Sequence, residues 1–186
     1  GDESINIEIK SMLSSKTFKV FSSHDIQGVE LAGALKNIYA ICCGIAHAKL
    51  VGENALGFIV TRSMAEMSRF AVAKGANPIT FLGLAGMGDL MATCTSKLSR
   101  NFQLGELIAE DLSLIAAKEK VGQVAEGART LEVVYHEANK MNVSMPLVNS
   151  LYKILYSDSS SDQLIQDLLD HPNEVDVEFT YKEKKL

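Results

Sequence analysis

The sequence predicts an all-α fold, because helix-forming apolar patterns and helix-capping residues recur along most of the chain. Residues 26–51 are apolar at nearly every position, as in a helix that is buried on all sides. Residues 54–74 form a second helical pattern, and Pro146 opens a third, since proline is favoured in the first turn of a helix. Asp25 precedes the first helix as a cap and Gly75 follows the second as a stop.

The first residues predict a short helix over 2–14 and a strand over 18–21, where apolar and polar residues alternate. A single strand leaves its backbone groups without partners. The chain also begins with Gly1 instead of a methionine. We therefore expect these residues to be the end of a larger domain, whose remaining sheet precedes the chain.

The other elements follow from the same punctuation. Asn77 and Pro78 predict a short helix, Ser99 predicts a helix start, and further helices are expected over residues 127–141, from Pro146, and over 162–170. Pro172 stops the last helix, and residues 173–186 form a charged tail with no expected order. We predict three parts: the end of an N-terminal domain (1–24), a helical domain (25–172) and the tail (173–186).

The composition is that of an ordinary globular domain, with 186 residues, 47% hydrophobic and 22% charged. A net charge of -5 argues against a nucleic-acid or anionic membrane surface. Lys36, Asn37 and His47 interrupt the longest apolar stretch, which argues against a membrane span, and with no signal peptide we expect a cytoplasmic location. No metal-site spacing links the cysteines, so reduced structural thiols are predicted at Cys42, Cys43 and Cys94.

Lys36 is the most informative residue, because an ammonium in an apolar helix is costly to bury. Its own helix face carries mostly small residues that leave room for a ligand: Val29, Ala32, Gly33, Ala40, Cys43 and His47. Two interpretations remain open at this point. The lysine either extends its charged end to water over a close helix contact, or it serves chemistry with a tuned proton affinity.

The glycines at 83, 86 and 88 resemble a dinucleotide-binding loop only superficially. Their order is G-x-x-G-x-G, the reverse of the fingerprint, and no second strand ending in an acid follows. We interpret residues 83–88 as a flexible, tight turn between helices that presents Asp89.

Residues 89–101 have the composition of a phosphate site. A polar loop with Thr93 separates Asp89 from Ser99, Arg100 and Asn101 at a helix start, where free N–H groups and a guanidinium can bind phosphate oxygens. The alternative is purely structural, with Ser99 as a cap and Arg100 in an ion pair.

The turn over residues 121–127 is a third candidate. Its glycines allow close backbone approach, and Glu126 can accept hydrogen bonds from ribose or amide groups. As an acid at a helix start, Glu126 also has a structural explanation.

Four segments in order, GVELAGALKN (28–37), GLAGMGDLMATCTS (83–96), SRN (99–101) and VGQVAEGART (121–130), resemble the C-terminal, substrate-binding domain of bacterial NAD(P)-dependent glycerol-3-phosphate dehydrogenase. The resemblance covers residues 25–170. It implies a multi-helix substrate domain of the 6-phosphogluconate dehydrogenase C-terminal type. Residues 1–24 then resemble the last helix and strand of the family's Rossmann domain, whose cofactor loop this chain lacks.

The resemblance implies reversible reduction of dihydroxyacetone phosphate by NAD(P)H to sn-glycerol 3-phosphate, for glycerophospholipid synthesis. Lys36 takes the catalytic position and also contacts the substrate, and Asp89 takes a position that orients both the substrate hydroxyl group and Lys36. Ser99, Arg100 and Asn101 take substrate-binding positions, and Asn37 and Thr93 also match positions around the substrate. Cofactor contacts fall on Arg100, Val124 and Glu126. No metal site is implied, the Rossmann domain is the expected partner, and a homodimer and the choice of coenzyme stay open.

Two other functions remain compatible with the residues. The chain could be the helical domain of another Rossmann-linked dehydrogenase that acts on a different hydroxy acid or sugar. It could also be a non-catalytic helical module, in which the apolar helix serves dimerisation and the Lys36 side chain only extends its ammonium into solvent.

Overall fold

A computed structural model describes residues 2–122, 125–157 and 159–170, and this part of the chain is helical. The all-α prediction is thereby confirmed. The first three helices are α1 (Glu3–Leu13), α2 (Ile26–Ala48) and α3 (Glu53–Ala73). A 3-10 turn (Pro78–Leu82) and a π-helical turn (Leu84–Gly88) then lead into six further helices: α4 (Asp89–Cys94), α5 (Arg100–Ala109), α6 (Leu114–Val121), α7 (Glu126–Lys140), α8 (Pro146–Tyr156) and α9 (Asp162–Asp170).

Helices begin at the predicted caps. The Asp25 carboxylate accepts a hydrogen bond from the Gly28 N–H at 2.9 Å, and the Ser99 hydroxyl accepts one from the Phe102 N–H. Asp25 also accepts a hydrogen bond from the Thr80 hydroxyl at 2.6 Å. One side chain therefore caps α2 and holds the 3-10 turn against its start.

Three predictions need correction. Residues 18–21 are not a strand: they have no regular structure, because a strand needs a pairing partner and the described residues offer none. The segment after Asp89 was predicted to be a polar loop, but its first part, residues 89–94, forms α4. Helix α6 was not expected, although Ser113 caps it and Gly122 ends it in a left-handed conformation with φ 69°. The predictions for Pro172 and the tail (173–186) fall outside the described residues.

Helix α2 is the centre of the fold. Residues 38–46 are all buried, as expected for a helix surrounded by others. Its first turns differ from the prediction, because Ile26 and Val29 are exposed along a groove of about 1300 Å³. Residues 18–23 and the turns before α4 form the other walls of this groove. By length and composition α2 could cross a membrane, but 61% of its apolar window is buried inside the fold.

Helices α2 and α5 cross with their backbones in contact. A methyl group added at Gly44 would overlap the Phe102 carbonyl, and one added at Gly105 would overlap the Ile41 carbonyl. Since each glycine faces the backbone of the other helix, the separation of the two axes depends on both.

A buried carboxylate joins α3 to the start of α8. Glu66 is 2% exposed and accepts hydrogen bonds from the Leu147 N–H at 2.6 Å, the Val148 N–H at 3.3 Å and the Tyr39 hydroxyl at 3.2 Å. The first N–H groups of a helix have no partner within it, so Glu66 caps α8 from another helix. Burial raises the pKa of Glu66 to about 7, although these hydrogen bonds oppose the shift.

The helix crossing predicts a large effect of a single methyl group. Gly105→Ala should lower the free energy of unfolding by about 3 kcal/mol, because the added carbon meets the α2 backbone and not a movable side chain. Gly57→Ala on α3 is the matched control, since its methyl group meets nothing within 4 Å, and it should be neutral or stabilising. Chemical denaturation measures both, and equal effects would contradict the close crossing.

Glu66 predicts a pH dependence of stability. Its pKa is about 7 in the folded protein and near the ordinary carboxyl value of 4.5 in the unfolded chain, so the folded state holds the proton more tightly. The resulting stability is fully present below pH 4.5 and is lost as the pH rises to about 7. Relative to Glu66→Gln, the unmodified protein should lose on the order of 3 kcal/mol across this window in urea titrations. A pH-independent difference between the two proteins would contradict the prediction.

Candidate active site

An ion pair between Lys36 and Asp89 lies at the centre of the candidate site. The Lys36 Nζ is 2.5 Å from the Asp89 Oδ2, and the side chains are 22% and 37% exposed. Lys36 is on the open half of α2, and Asp89 is the first residue of α4. The Lys36 ammonium is therefore partly exposed and paired with a carboxylate, an arrangement that neither interpretation of Lys36 had included.

The glycine-rich turn places Asp89. The predicted turn is the π-helical segment before α4, and a methyl group at Gly86 would overlap the Phe81 backbone. One helical turn beyond Asp89, the Thr93 hydroxyl donates to the Asp89 carbonyl at 2.6 Å. The close packing fixes the backbone at the start of α4, and the Asp89 carboxylate itself is bonded to Lys36.

The start of α5 carries the predicted phosphate-binding triplet. Ser99 caps the helix, the Arg100 side chain is exposed, and Asn101 is 8% exposed. The Asn101 Nδ2 donates to the Asn37 Oδ1 at 2.9 Å, and the Asn101 Oδ1 accepts from the Gly127 N–H at 2.9 Å. Asn101 thus connects α5 to α2 and to the first turn of α7.

The predicted cofactor contacts are described only in part. Glu126 is the first residue of α7 and is exposed, next to the buried Gly127. Val124 lies outside the described residues. The hydrogen bond between Asn101 and Gly127 places the starts of α5 and α7, and with them Arg100 and Glu126, in the same region.

The site combines two helix starts with two cationic side chains. Two helix starts meet at the Asn101–Gly127 hydrogen bond, and each contributes a positive dipole end. Lys36 and Arg100 precede Asn37 and Asn101, the two residues that this hydrogen bond network joins, by one position in the sequence.

Gly127 lies against Asn37, with room for no side chain between them. The sequence predicts that this glycine allows a close backbone approach but does not show which residue approaches it. The three cysteines are free, buried thiols, as predicted. All three lie in the hydrophobic core. Burial raises the pKa of Cys42, and a hydrogen bond with Cys43 together with burial raises the pKa of Cys94.

Comparison with known proteins gives one family. Residues 25–166 match the model of the NAD-dependent glycerol-3-phosphate dehydrogenase C-terminus. A glycerol-3-phosphate dehydrogenase (NAD(P)+) of Alcanivorax borkumensis is 51% identical over 178 residues, which are 96% of this chain and 52% of that protein. One of Pseudomonas entomophila is 47% identical over 178 residues, with the same coverage of both chains.

A solved structure has the same fold. The crystal structure of glycerol-3-phosphate dehydrogenase from Coxiella burnetii matches with a TM-score of 0.87 and 34% identity, over 92% of this chain and 53% of that one. The chain thus spans about half the length of the relatives it matches.

The exposure of the ion pair predicts a small contribution to stability. Asp89→Asn should lower the free energy of unfolding by less than about 1 kcal/mol, because water already reaches both partners. The pair between Lys74 and Glu137 is the matched control, since it joins the two side chains at 2.6 Å with 29% and 36% exposure. Glu137→Gln should have a similar effect in chemical denaturation. A much larger loss in Asp89→Asn would mean that Asp89 supports the fold and not only the site.

Proposed function

This chain belongs to the family of NAD-dependent glycerol-3-phosphate dehydrogenase C-terminal domains, and we propose that it is the substrate-binding part of such an enzyme. The reaction is the reversible reduction of dihydroxyacetone phosphate by NAD(P)H to sn-glycerol 3-phosphate, which supplies the backbone of glycerophospholipids. One observation carries the proposal: Lys36 pairs with Asp89 at 2.5 Å, and Asn37, the residue after Lys36, is hydrogen-bonded to Asn101, the residue after Arg100.

Lys36 is the proposed catalytic residue. When a ketone is reduced, negative charge develops on its oxygen, and an ammonium beside that oxygen stabilises the charge and donates the proton. Asp89 holds the ammonium at 2.5 Å, and its proposed role is to orient the substrate hydroxyl group and Lys36. In the oxidation direction, the same amine accepts the proton.

The phosphate group is the proposed ligand of the α5 start. Arg100 offers a planar pair of donors, and Ser99 and Asn101 add hydroxyl and amide groups. Asn37 follows Lys36 on α2, and Thr93 lies one helical turn after Asp89 on α4. Binding at the helix starts holds the substrate so that its ketone, which is close to the phosphate, can reach Lys36.

The residues near the start of α7 fit a nicotinamide cofactor. Glu126 is an exposed acceptor suited to ribose or amide groups, and Arg100 is an exposed donor at the neighbouring helix start. When bound, NAD(P)H supplies the hydride. Together with Val124, these residues would hold the part of the cofactor that faces this domain.

An N-terminal Rossmann domain is the proposed partner of the open side of α2. Apolar side chains line this side and are exposed, with Phe21 at 70%, Ile26 at 56% and Leu84 at 64%. Such a surface is typical of one that another domain covers. The complete enzyme is proposed to be cytoplasmic, and its homodimerisation stays open.

The test uses the complete enzyme, in which this chain follows its cofactor domain. Lys36→Ala should lower kcat for dihydroxyacetone phosphate by about 10²- to 10⁴-fold, the usual contribution of a general acid. Lys74→Ala is the control, because Lys74 pairs with Glu137 at 2.6 Å away from the site, and it should keep its turnover. NADH oxidation measures both variants, and the isolated chain should show none.

The alternatives give different results in the same assay. Near-normal turnover in Lys36→Ala would end the assignment of the lysine. Equal turnover of unphosphorylated dihydroxyacetone would indicate another dehydrogenase, since the Arg100 region would then have no phosphate to bind. A folded complete protein that reduces neither compound would favour a non-catalytic helical module.

A further inference from the structure

Three hydrogen bonds form a relay between α7 and α2. The Gly127 N–H donates to the Asn101 Oδ1 at 2.9 Å, the Asn101 Nδ2 donates to the Asn37 Oδ1 at 2.9 Å, and the Asn37 Nδ2 donates to the Gly33 carbonyl at 3.3 Å. A side-chain amide can turn over and exchange its donor and acceptor, whereas a backbone N–H or carbonyl cannot. Because both ends of the relay are backbone groups, its direction is fixed.

We propose that Gly127 is a positioning residue for substrate binding. Its N–H orients the Asn101 amide and, through Asn101, the Asn37 amide, so that both keep an N–H group available to the phosphate-bearing substrate. The inference rests on the proposed function for the identity of the substrate, while the relay itself rests on the geometry alone.

Burial makes the Gly127 N–H a strong constraint. Gly127 is the second residue of α7, in the first turn, where N–H groups have no helical partner. Gly127 is buried and Asn101 is 8% exposed, so water competes poorly for this hydrogen bond. A buried N–H without an acceptor is costly, and Asn101 therefore keeps its oxygen towards Gly127.

The relay requires glycine at this position. A methyl group on residue 127 would overlap the Asn37 carbonyl and approach the Asn101 Oδ1 to 2.8 Å. Any larger residue must push the start of α7 away from α2, and this lengthens the first hydrogen bond of the relay. The close approach and the orientation of the amides thus depend on the same residue.

The orientation matters because phosphate oxygens accept hydrogen bonds and do not donate them. Each amide nitrogen carries two N–H groups, and the relay uses one of them at Asn101 and one at Asn37. The second N–H of each is the one that would donate to the substrate phosphate. If the amides turned over, they would present carbonyl oxygens to an anion and weaken its binding.

The first test measures hydrogen exchange and needs no turnover. In the complete protein, the Gly127 amide should exchange at least about tenfold more slowly than that of Glu126, which precedes it in the same turn. Asn101→Ala should remove this protection. Equal exchange at the two positions in the unmodified protein would overturn the relay, whatever the enzyme acts on.

The second test is kinetic. Gly127→Ala in the complete enzyme should raise KM for dihydroxyacetone phosphate by about tenfold, the effect of losing one hydrogen bond to a charged group. The change in kcat should be smaller, because Lys36 and Asp89 are outside the relay. Gly57→Ala is the control for a methyl group added to a helix, since it meets nothing within 4 Å, and its KM should be unchanged.

A second measurement keeps the proposal testable if Gly127→Ala does not fold. In NMR spectra of the unmodified complete enzyme, the Asn101 Nδ2 hydrogens should lie close to Asn37, and the Asn37 Nδ2 hydrogens close to Gly33. Side-chain amides found in the reverse orientation would overturn the proposal. If the unmodified enzyme does not reduce dihydroxyacetone phosphate, the proposed function fails, while the exchange result still decides on the relay.

Discussion

The backbone contact between α2 and α5 is the constraint on which the site depends. Gly44 and Gly105 let the two helices approach until each faces the carbonyl groups of the other. Helices separated by ordinary side chains lie about 8–10 Å apart, which is too far for short amides to meet beyond the crossing. Asn37 lies about two turns before Gly44, and Asn101 about one turn before Gly105. Their hydrogen bond at 2.9 Å is therefore a consequence of the glycines, although neither glycine is near Lys36.

Two buried polar side chains stabilise helix starts that belong to other parts of the chain. Asn101 accepts from the first turn of α7, and Glu66 accepts from the first turn of α8. Each contact gives a hydrogen-bond acceptor to an N–H group that has no partner within its own helix. It also gives a donor to a buried oxygen, which would be costly to bury without a hydrogen bond. The two differ in charge. Asn101 is neutral and holds its place at any pH, whereas burial raises the pKa of Glu66 to about 7, so that this contact changes with protonation.

Much of the helical arrangement was predictable because its signals are local. Asp25, Asn77 and Ser99 cap the helices that the sequence assigns to them, since a cap acts within three residues. The strand predicted at 18–21 was wrong because strand formation depends on a distant partner. Nothing in the sequence indicated that Glu66 caps α8, because its hydrogen-bond donor Leu147 is 81 residues away along the chain. The pairing of Lys36 with Asp89 spans 53 residues, and only the family resemblance, not the spacing, suggested it.

The two halves of α2 have different physical roles, and the position of Lys36 follows from them. Residues 38–46 are buried and fixed by the surrounding helices, where an ammonium would be too costly to place. The first half is open along the groove, and Lys36 there is 22% exposed and paired with Asp89. In the proposed reaction, a substrate phosphate would compete with Asp89 for the same ammonium. The positive starts of α5 and α7 give the phosphate a site of its own. Lys36 can then remain paired with Asp89 and act on the ketone oxygen, while the buried half of α2 holds it rigidly in place.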